Sequence, residues 1–174
     1  MKKRLMILFG VSLVGLTWIT ATAQKQPASH SATKVSTAAA SSEHKMLSPG
    51  DLQWSAAPPW LPPGAQMAVL DGDPTKPGSF TVRLKSPAGY KIMPHTHPTP
   101  ERITVISGAA HLAMGEKFDE NAGRELGPGG FIALPARMAH FAWTADETII
   151  QINSEGPFQI KYVNPADDPR GEKK

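Results

Sequence analysis

Beyond residue 45, apolar residues alternate with polar ones or come in short runs, a pattern typical of β-strands. The pattern predicts nine strands separated by turns rich in Gly, Pro and Asp, at residues 66–70, 79–85, 90–95, 102–107, 110–114, 131–134, 139–143, 148–153 and 158–163. This part of the chain shows no apolar stripe of helical period. Nine short strands in about 100 residues predict an all-β fold, a closed antiparallel β-barrel or a jelly roll.

The N-terminal residues predict export. Lys2, Lys3 and Arg4 precede an apolar run over residues 5–19, and residues 21–23 form an A-x-A cleavage site. The run is shorter than the roughly 20 apolar residues that span a bilayer. We therefore expect a cleaved signal peptide at 1–23, a periplasmic or extracellular protein, and no stable membrane insertion after cleavage. A retained anchor is the alternative.

Composition divides the remaining chain into three parts. Residues 24–45 are rich in Ala, Ser, Thr and Lys, with Val35 as the one branched aliphatic residue, which predicts a disordered leader. Residues 46–163 are expected to form the folded domain, and residues 164–174 a flexible polar tail. Within the domain, Trp54 and Trp60 lie in a proline-rich stretch, 51–63, that is expected to cover one mouth of the barrel or a partner subunit.

Charge and cysteine content exclude several classes of function. The chain has 18 basic and 15 acidic residues, and Lys2, Lys3 and Arg4 account for the whole excess of +3. A neutral mature chain without a basic cluster argues against nucleic-acid binding. The sequence contains no cysteine, which excludes disulfides, thiolate metal sites and thiol nucleophiles.

One segment has the spacing of a metal site. His95 and His97 are two residues apart, so on a strand both imidazoles point to the same face. Pro98 and Pro100 then turn the chain, and Glu101 begins the next predicted strand. Two imidazoles and a carboxylate form a facial set suited to a divalent metal. His140, on another predicted strand, can supply a third imidazole.

These residues resemble the cupin superfamily. Its first motif, G-x5-H-x-H-x3-E-x6-G, is matched at every fixed position by Gly89, His95, His97, Glu101 and Gly108. Its second, G-x5-P-x-G-x2-H-x3-N, is matched at Gly129, Pro135 and His140, with Arg137 in place of the turn glycine and Thr144 in place of the asparagine.

The resemblance implies a single-domain jelly-roll β-barrel with a metal held by His95, His97, Glu101 and His140. The cofactor is expected to be one divalent transition-metal ion, and an all-nitrogen-and-oxygen set accepts Fe, Mn, Ni, Cu, Co or Zn. Homodimers are common among cupins, so a homodimer is a further expectation, with the 51–63 stretch as a candidate contact.

Alternation along the strands predicts which side chains share the metal pocket. Met93 lies two residues from His95, and Ala142 two residues from His140, so both are expected to point inward. Met114, Phe131 and Trp143 are further candidates for an apolar wall. His111 lies outside both motifs and is expected to have a structural or surface role.

Three functions remain open at this stage. The first is a metal-dependent dioxygenase acting on a small, largely apolar or aromatic organic substrate. The second is a non-enzymatic module of the cell envelope that binds or senses a metal or small ligand. The third is a metal-dependent isomerase or lyase, which the lack of an additional acid–base pair near the motifs disfavours.

Overall fold

The computed structural model describes residues 44–171. Within that range the chain forms eleven strands: β1 (Ser55–Ala56), β2 (Gln66–Asp71), β3 (Gly78–Ser86), β4 (Lys91–Thr96), β5 (Glu101–Ser107), β6 (Ala110–Met114), β7 (Arg124–Leu126), β8 (Phe131–Leu134), β9 (His140–Thr144), β10 (Thr148–Gly156) and β11 (Lys161–Tyr162). Single 3₁₀ turns occur at Pro49–Asp51, Glu120–Ala122 and Pro165–Asp167. No helix in the described part of the chain is long and apolar enough to cross a membrane.

The strands form two antiparallel sheets whose inner faces enclose one core. The order in the six-stranded sheet is β1-β2-β3-β10-β5-β8, and in the five-stranded sheet β11-β4-β9-β6-β7. Strand β3 shows the alternation clearly, since Phe80, Val82 and Leu84 are at most 2% exposed while their neighbours are not buried. This arrangement confirms the predicted all-β, jelly-roll fold.

The prediction of a closed barrel is wrong in one respect. Among the described residues, the ladders of the two sheets do not join into one continuous cylinder, and each sheet keeps its own edge strands. The chain passes from one sheet to the other between β4 and β5, through Pro98 and Pro100. Proline lacks the amide hydrogen that a ladder needs, so hydrogen bonding cannot continue through this corner.

Gly108 shows why the turn after β5 needs a glycine. Its φ of 73° lies in the left-handed region, and a Cβ atom there would collide with the backbone of Glu147 and Thr148. The turn places β5 beside the start of β10, so that Glu101 at the other end of β5 reaches the core.

The predicted signal peptide, 1–23, and most of the predicted leader, 24–43, lie outside the described residues. The prediction that 164–174 form a flexible tail stays a prediction. In the structure, the Arg170 side chain forms an ion pair with Asp168 at 2.6 Å and donates to the Ile160 carbonyl at 3.3 Å.

The proline-rich stretch 51–63 packs on its own domain. Strand β1 pairs with β2, and the ring of Trp54 lies 4.7 Å below the ammonium group of Lys85. The hydroxyl of Tyr162 donates to the Trp60 carbonyl at 2.9 Å, and that of Tyr90 donates to the Pro62 carbonyl at 2.6 Å. This stretch therefore covers its own core, as one of the two sequence-based alternatives predicts, and contact with a partner subunit stays a prediction.

Candidate metal centre and its cavity

Three histidines and a glutamate meet where β4, β5 and β9 come together. His95 lies in β4, His97 directly follows that strand, Glu101 begins β5, and His140 begins β9 opposite His95 in the antiparallel register. All four side chains are buried, with exposures between 3% and 5%. One ring nitrogen from each histidine lies within 4.8 Å of the others. The structure thus brings together all four residues predicted as ligands.

Backbone carbonyls determine which ring nitrogen of each histidine is free. Nδ1 of His95 lies 2.7 Å from the Met93 carbonyl, Nδ1 of His97 lies 2.7 Å from that of Gln159, and Nδ1 of His140 lies 3.0 Å from that of Met138. A carbonyl only accepts, so each Nδ1 carries the hydrogen. In a neutral imidazole with this arrangement, Nε2 keeps its lone pair, which is the form that binds a metal.

Glu101 adds an unpaired oxygen to these lone pairs. Its Oε2 lies 3.6 Å from Nε2 of His97 and 3.5 Å from Nε2 of His140. Among the buried side-chain atoms of residues 44–171, it is the one with no hydrogen-bond partner. A buried carboxylate oxygen without a partner is costly, so this atom marks a place where a cation is needed.

Burial disfavours protonation of His95 and His97, so neither imidazole readily supplies a positive charge beside Glu101. Burial, together with the neighbouring His140 and His97, holds the pKa of His95 well below its ordinary value of 6.5. Burial also lowers the pKa of His97, although the Glu101 carboxylate opposes that shift. Both imidazoles are therefore neutral near neutral pH, so the unpaired oxygen of Glu101 faces a lone pair on Nε2 of His97, 3.6 Å away.

The spacing of the donor atoms fits a metal ion. Bonds of about 2.1 Å from nitrogen or oxygen to a divalent metal place adjacent donors about 3.0 Å apart in an octahedron and about 3.4 Å apart in a tetrahedron. The distances from Oε2 of Glu101 to the two histidine nitrogens, 3.5 and 3.6 Å, are close to the second value. The three buried histidines can hold a metal ion, and the Glu101 carboxylate lies beside two of them.

His97 differs from the other two histidines in how it is held. His95 and His140 each bond to a carbonyl two residues back on the same chain segment, whereas Gln159 is 62 residues away from His97. The ring of Phe158 stacks on the His97 imidazole at 4.5 Å and 10°. Sequence reasoning missed both contacts, because no local pattern reports a pairing across such a separation.

Arg137 adopts the backbone conformation expected of the turn glycine that it replaces. Its φ is 64°, and among the described non-glycine residues it alone has a positive value. Its amide donates to the His97 carbonyl at 2.8 Å, which ties the turn before β9 to the end of β4. The substitution of arginine for glycine therefore preserves the turn that leads to His140.

A largely apolar cavity extends from the four candidate ligands into the core. Its volume is about 690 Å³ with the mouth included, and aliphatic side chains from both sheets and from the 51–63 stretch form most of its wall, among them Leu61, Met67, Leu84, Ile103, Leu112 and Ile152. Trp60 closes one side, with its ring 5.8 Å from that of Phe158. The apolar character of this wall, with polar groups confined to its ends, suits a small organic molecule.

The prediction that Met93 lines this cavity is corrected by a β-bulge in β4. His95 pairs with His140 while Ile92 pairs with Ala142, so β4 carries one more residue than β9 over this interval. The additional residue shifts the alternation of side chains. Ile92, rather than Met93, consequently shares the face of His95 and lines the cavity.

Two further predicted wall residues lie outside the cavity. On edge strand β8, Leu134 pairs with Glu101 and points into the core. Phe131 is three residues earlier, so its side chain points to the opposite face and is 57% exposed. Met114 pairs with His140, but it is the last residue of β6 and is 44% exposed. Ala142 lines the cavity as predicted, and Trp143 borders it.

His111 has the structural role that the sequence predicted. Its imidazole stacks on the Trp143 ring at 5.0 Å and 11°, and its Nε2 lies 3.6 Å from Oε2 of Glu125. Trp143 also contacts Gly123, where a Cβ atom would collide with the indole ring. These contacts belong to a packing cluster separate from the candidate metal centre.

One protein-family model matches most of the chain. The model of a family described as a domain of unknown function, DUF4437, matches residues 18–161. The chain belongs to this family. No curated protein matches this DUF4437 chain.

Solved structures that resemble the chain share its fold. The polyketide cyclase RemF from Streptomyces resistomycificus superposes with a TM-score of 0.58 at 18% identity, over 73% of this chain and 90% of that one. A candidate acetylacetone dioxygenase from Methylibium petroleiphilum PM1 gives 0.56 at 18% identity, over 74% and 87%. An RmlC-like cupin from Shewanella frigidimarina NCIMB 400 gives 0.50 at 15% identity, over 66% and 91%. At these identities the likeness shows the cupin fold, and function must be argued from the site.

Proposed function

We propose that this DUF4437 protein is a metal-binding cupin that acts as a dioxygenase on a small, largely apolar or aromatic organic substrate. The single observation that carries the proposal is the unpaired Oε2 of Glu101, buried between Nε2 of His97 at 3.6 Å and Nε2 of His140 at 3.5 Å. His95, His97, Glu101 and His140 would hold one divalent transition-metal ion. Such an ion supplies Lewis acidity and positions for substrate and O₂.

The chain's own residues have defined roles in this proposal. The carbonyls of Met93, Gln159 and Met138 orient the three imidazoles, so that the donor atoms converge before a ligand arrives. The aliphatic wall excludes water from the reacting centre and favours an apolar substrate.

The character of the cavity also weighs against the other functions. Apart from the histidines and Glu101, no side chain that lines the cavity in the described part of the chain, 44–171, is a carboxylate, an imidazole or an amine. An isomerase or lyase of the sugar or organic-acid type needs a positioned base and groups that bind an anion. A non-enzymatic binding module remains the main competitor, since the same wall and donors also suit ligand storage or sensing.

We also propose that the protein is exported, on the basis of the basic and apolar N-terminal residues and the A-x-A site at 21–23. N-terminal sequencing of protein from the periplasm and the medium tests this proposal. Gln24 as the first residue supports it, and an intact Met1 in a cytoplasmic fraction contradicts it.

Oxygen consumption separates the enzyme from the binding module. The iron-loaded full chain is incubated with a panel of phenols and β-diketones, and O₂ uptake is recorded with Glu101→Gln as the matched control. Uptake that depends on substrate and is lost in the variant supports the dioxygenase. Substrate binding without O₂ uptake, for any metal supplied, favours the binding module.

A further inference from the structure

Four hydroxyl side chains line the end of the cavity opposite the candidate metal ligands. Ser86 ends β3, Tyr90 precedes β4, Thr144 ends β9 and Thr148 begins β10. We call these four residues the hydroxyl end, and His95, His97, Glu101 and His140 the histidine end. His140 and Thr144 are four residues apart on β9, so the two ends are separated by about 14 Å at about 3.4 Å per residue.

Three of these hydroxyls have already donated their hydrogen to the backbone. Tyr90 donates to the Pro62 carbonyl at 2.6 Å, Thr144 to the Pro87 carbonyl at 2.8 Å, and Thr148 to the Ala109 carbonyl at 3.0 Å. Burial raises the pKa of the Tyr90 hydroxyl above its ordinary value, so this group stays protonated. These hydroxyls therefore close the end of the cavity as structural groups.

Ser86 is different from the other three. The residue is 5% exposed and lines the cavity, and its hydroxyl makes no hydrogen bond to residues 44–171. Because its oxygen is not among the fully buried atoms without a partner, it is accessible from the cavity. Ser86 is held in place by its register opposite Thr148. A hydroxyl that is accessible from a cavity and makes no hydrogen bond to the protein is a ready donor and acceptor for a ligand.

The charges around the cavity limit what this hydroxyl can bind. Within residues 44–171, no lysine or arginine lines the cavity, and its lining histidines and carboxylate are all at the histidine end. An anionic group at the hydroxyl end would lose its hydration without gaining a countercharge. A neutral polar group would lose far less and would gain a hydrogen bond.

We propose that Ser86 is a specificity-determining residue that binds a neutral hydroxyl or carbonyl group at the far end of an elongated, otherwise apolar ligand. The orientation of that ligand, with its other end at the histidine end, rests on the proposed metal-dependent function. The site selects ligands by length as well as by polarity, because the two polar groups of the ligand must reach opposite ends of the cavity, with its apolar part along the aliphatic wall.

A series of 4-substituted catechols tests the proposal. Their tails carry a terminal methyl, hydroxyl or carboxylate group at chain lengths of about three to six carbons, which brackets the cavity length. Binding to the full chain is measured by calorimetry with bound zinc, which is redox-inert, and again after treatment with a chelator. The variants are Ser86→Ala and, as a matched control, Ser79→Ala, which changes an exposed serine on the same strand.

We expect the best hydroxyl-tailed catechol to bind the wild type about threefold to tenfold more tightly than it binds Ser86→Ala. The methyl-tailed compound should bind both proteins equally, and the carboxylate-tailed compound should bind the wild type at least about tenfold more weakly than the hydroxyl-tailed one. Ser79→Ala should match the wild type throughout.

The outcomes for Ser86 and for the metal can be told apart. Zinc-dependent binding that is insensitive to Ser86→Ala overturns the role of Ser86 and leaves the metal centre standing. Binding that is sensitive to Ser86→Ala but unchanged by the chelator supports Ser86 and overturns the metal-dependent function. Preference for the carboxylate tail contradicts the neutral-ligand inference directly.

Discussion

The two ends of the cavity satisfy their polar groups in opposite ways. At the hydroxyl end, Tyr90, Thr144 and Thr148 each donate to a backbone carbonyl. At the histidine end, the backbone contacts only Nδ1 of each imidazole, and Nε2 of His97 and of His140 lie beside a carboxylate oxygen without a partner. The protein therefore provides partners for three of the four hydroxyls at one end, while the other end presents donor atoms that can hold a cation. That difference locates function more sharply than the fold, which many unrelated activities share.

The largest effect is expected from Glu101→Gln, which removes the unpaired carboxylate oxygen beside the histidines. Glu101→Gln keeps the shape of the side chain and replaces a carboxylate oxygen with an amide group that can donate to a histidine nitrogen. Zinc affinity measured by competition with a chelator should fall by at least about tenfold. The same substitution should raise the melting temperature of the metal-free protein, because it gives a buried group a partner.

Glu101→Gln should therefore lower the zinc affinity while raising the melting temperature of the metal-free protein. Glu120→Gln, at an exposed carboxylate paired with Lys91, is the control and should change neither quantity. A metal-free Glu101→Gln protein that is much less stable than the wild type would show that the carboxylate has a structural role.

Acidification should affect the histidine end next most strongly. The pKa values of His95 and His97 are lowered in the folded metal-free protein, while in the unfolded chain they return to about 6.5. As the pH falls below about 6.5, the unfolded state therefore binds protons that the folded state does not, and the free energy of unfolding decreases. Melting temperatures of chelator-treated protein at about pH 7.5 and about pH 5.5 measure the effect.

A His95→Gln variant provides the control for this pH dependence. It lacks the more strongly shifted of the two imidazoles, so its melting temperature should vary less with pH over the same range. Greater stability at the lower pH in the wild type would contradict the assignment of neutral, buried histidines.

The smallest effect is expected at the hydroxyl end. Thr144→Val removes a hydroxyl that donates to the Pro87 carbonyl and should lower the free energy of unfolding by about 1 kcal/mol. Zinc affinity should not change, since Thr144 lies at the other end of the cavity. Thr144→Ser, which retains the hydroxyl, should recover most of the stability in a denaturant titration. A loss of zinc affinity in Thr144→Val would show that the two ends are not independent.

Sequence patterns predicted the fold and the four candidate ligands because both depend on short-range spacing. The alternation of residues such as Phe80, Val82 and Leu84 determines which face of a strand is buried. His95, His97 and Glu101 lie close together because they are near one another in sequence, at the connection between β4 and β5. Strands β1 and β7 were missed because two and three residues are too few to show a period.

The features that sequence could not predict depend on the register between strands or on contacts between distant residues. Because of the bulge in β4, Ile92 lines the cavity in the place predicted for Met93. The alternation of apolar and polar residues does not reveal where a strand carries an additional residue. The stacking of Phe158 on His97 and the unpartnered hydroxyl of Ser86 appear only when the segments are packed together.

Metal occupancy tests the central claim most directly. The full chain and its His97→Ala and His140→Ala variants are purified side by side from the compartment where the protein resides, and their metal content is determined by elemental analysis. We predict about one divalent transition-metal ion per chain in the wild type and a sharply reduced content in both variants. Equal occupancy in all three proteins, or a folded wild type that takes up no ion when supplied with each candidate metal, would contradict the assignment of the histidine end as a metal centre.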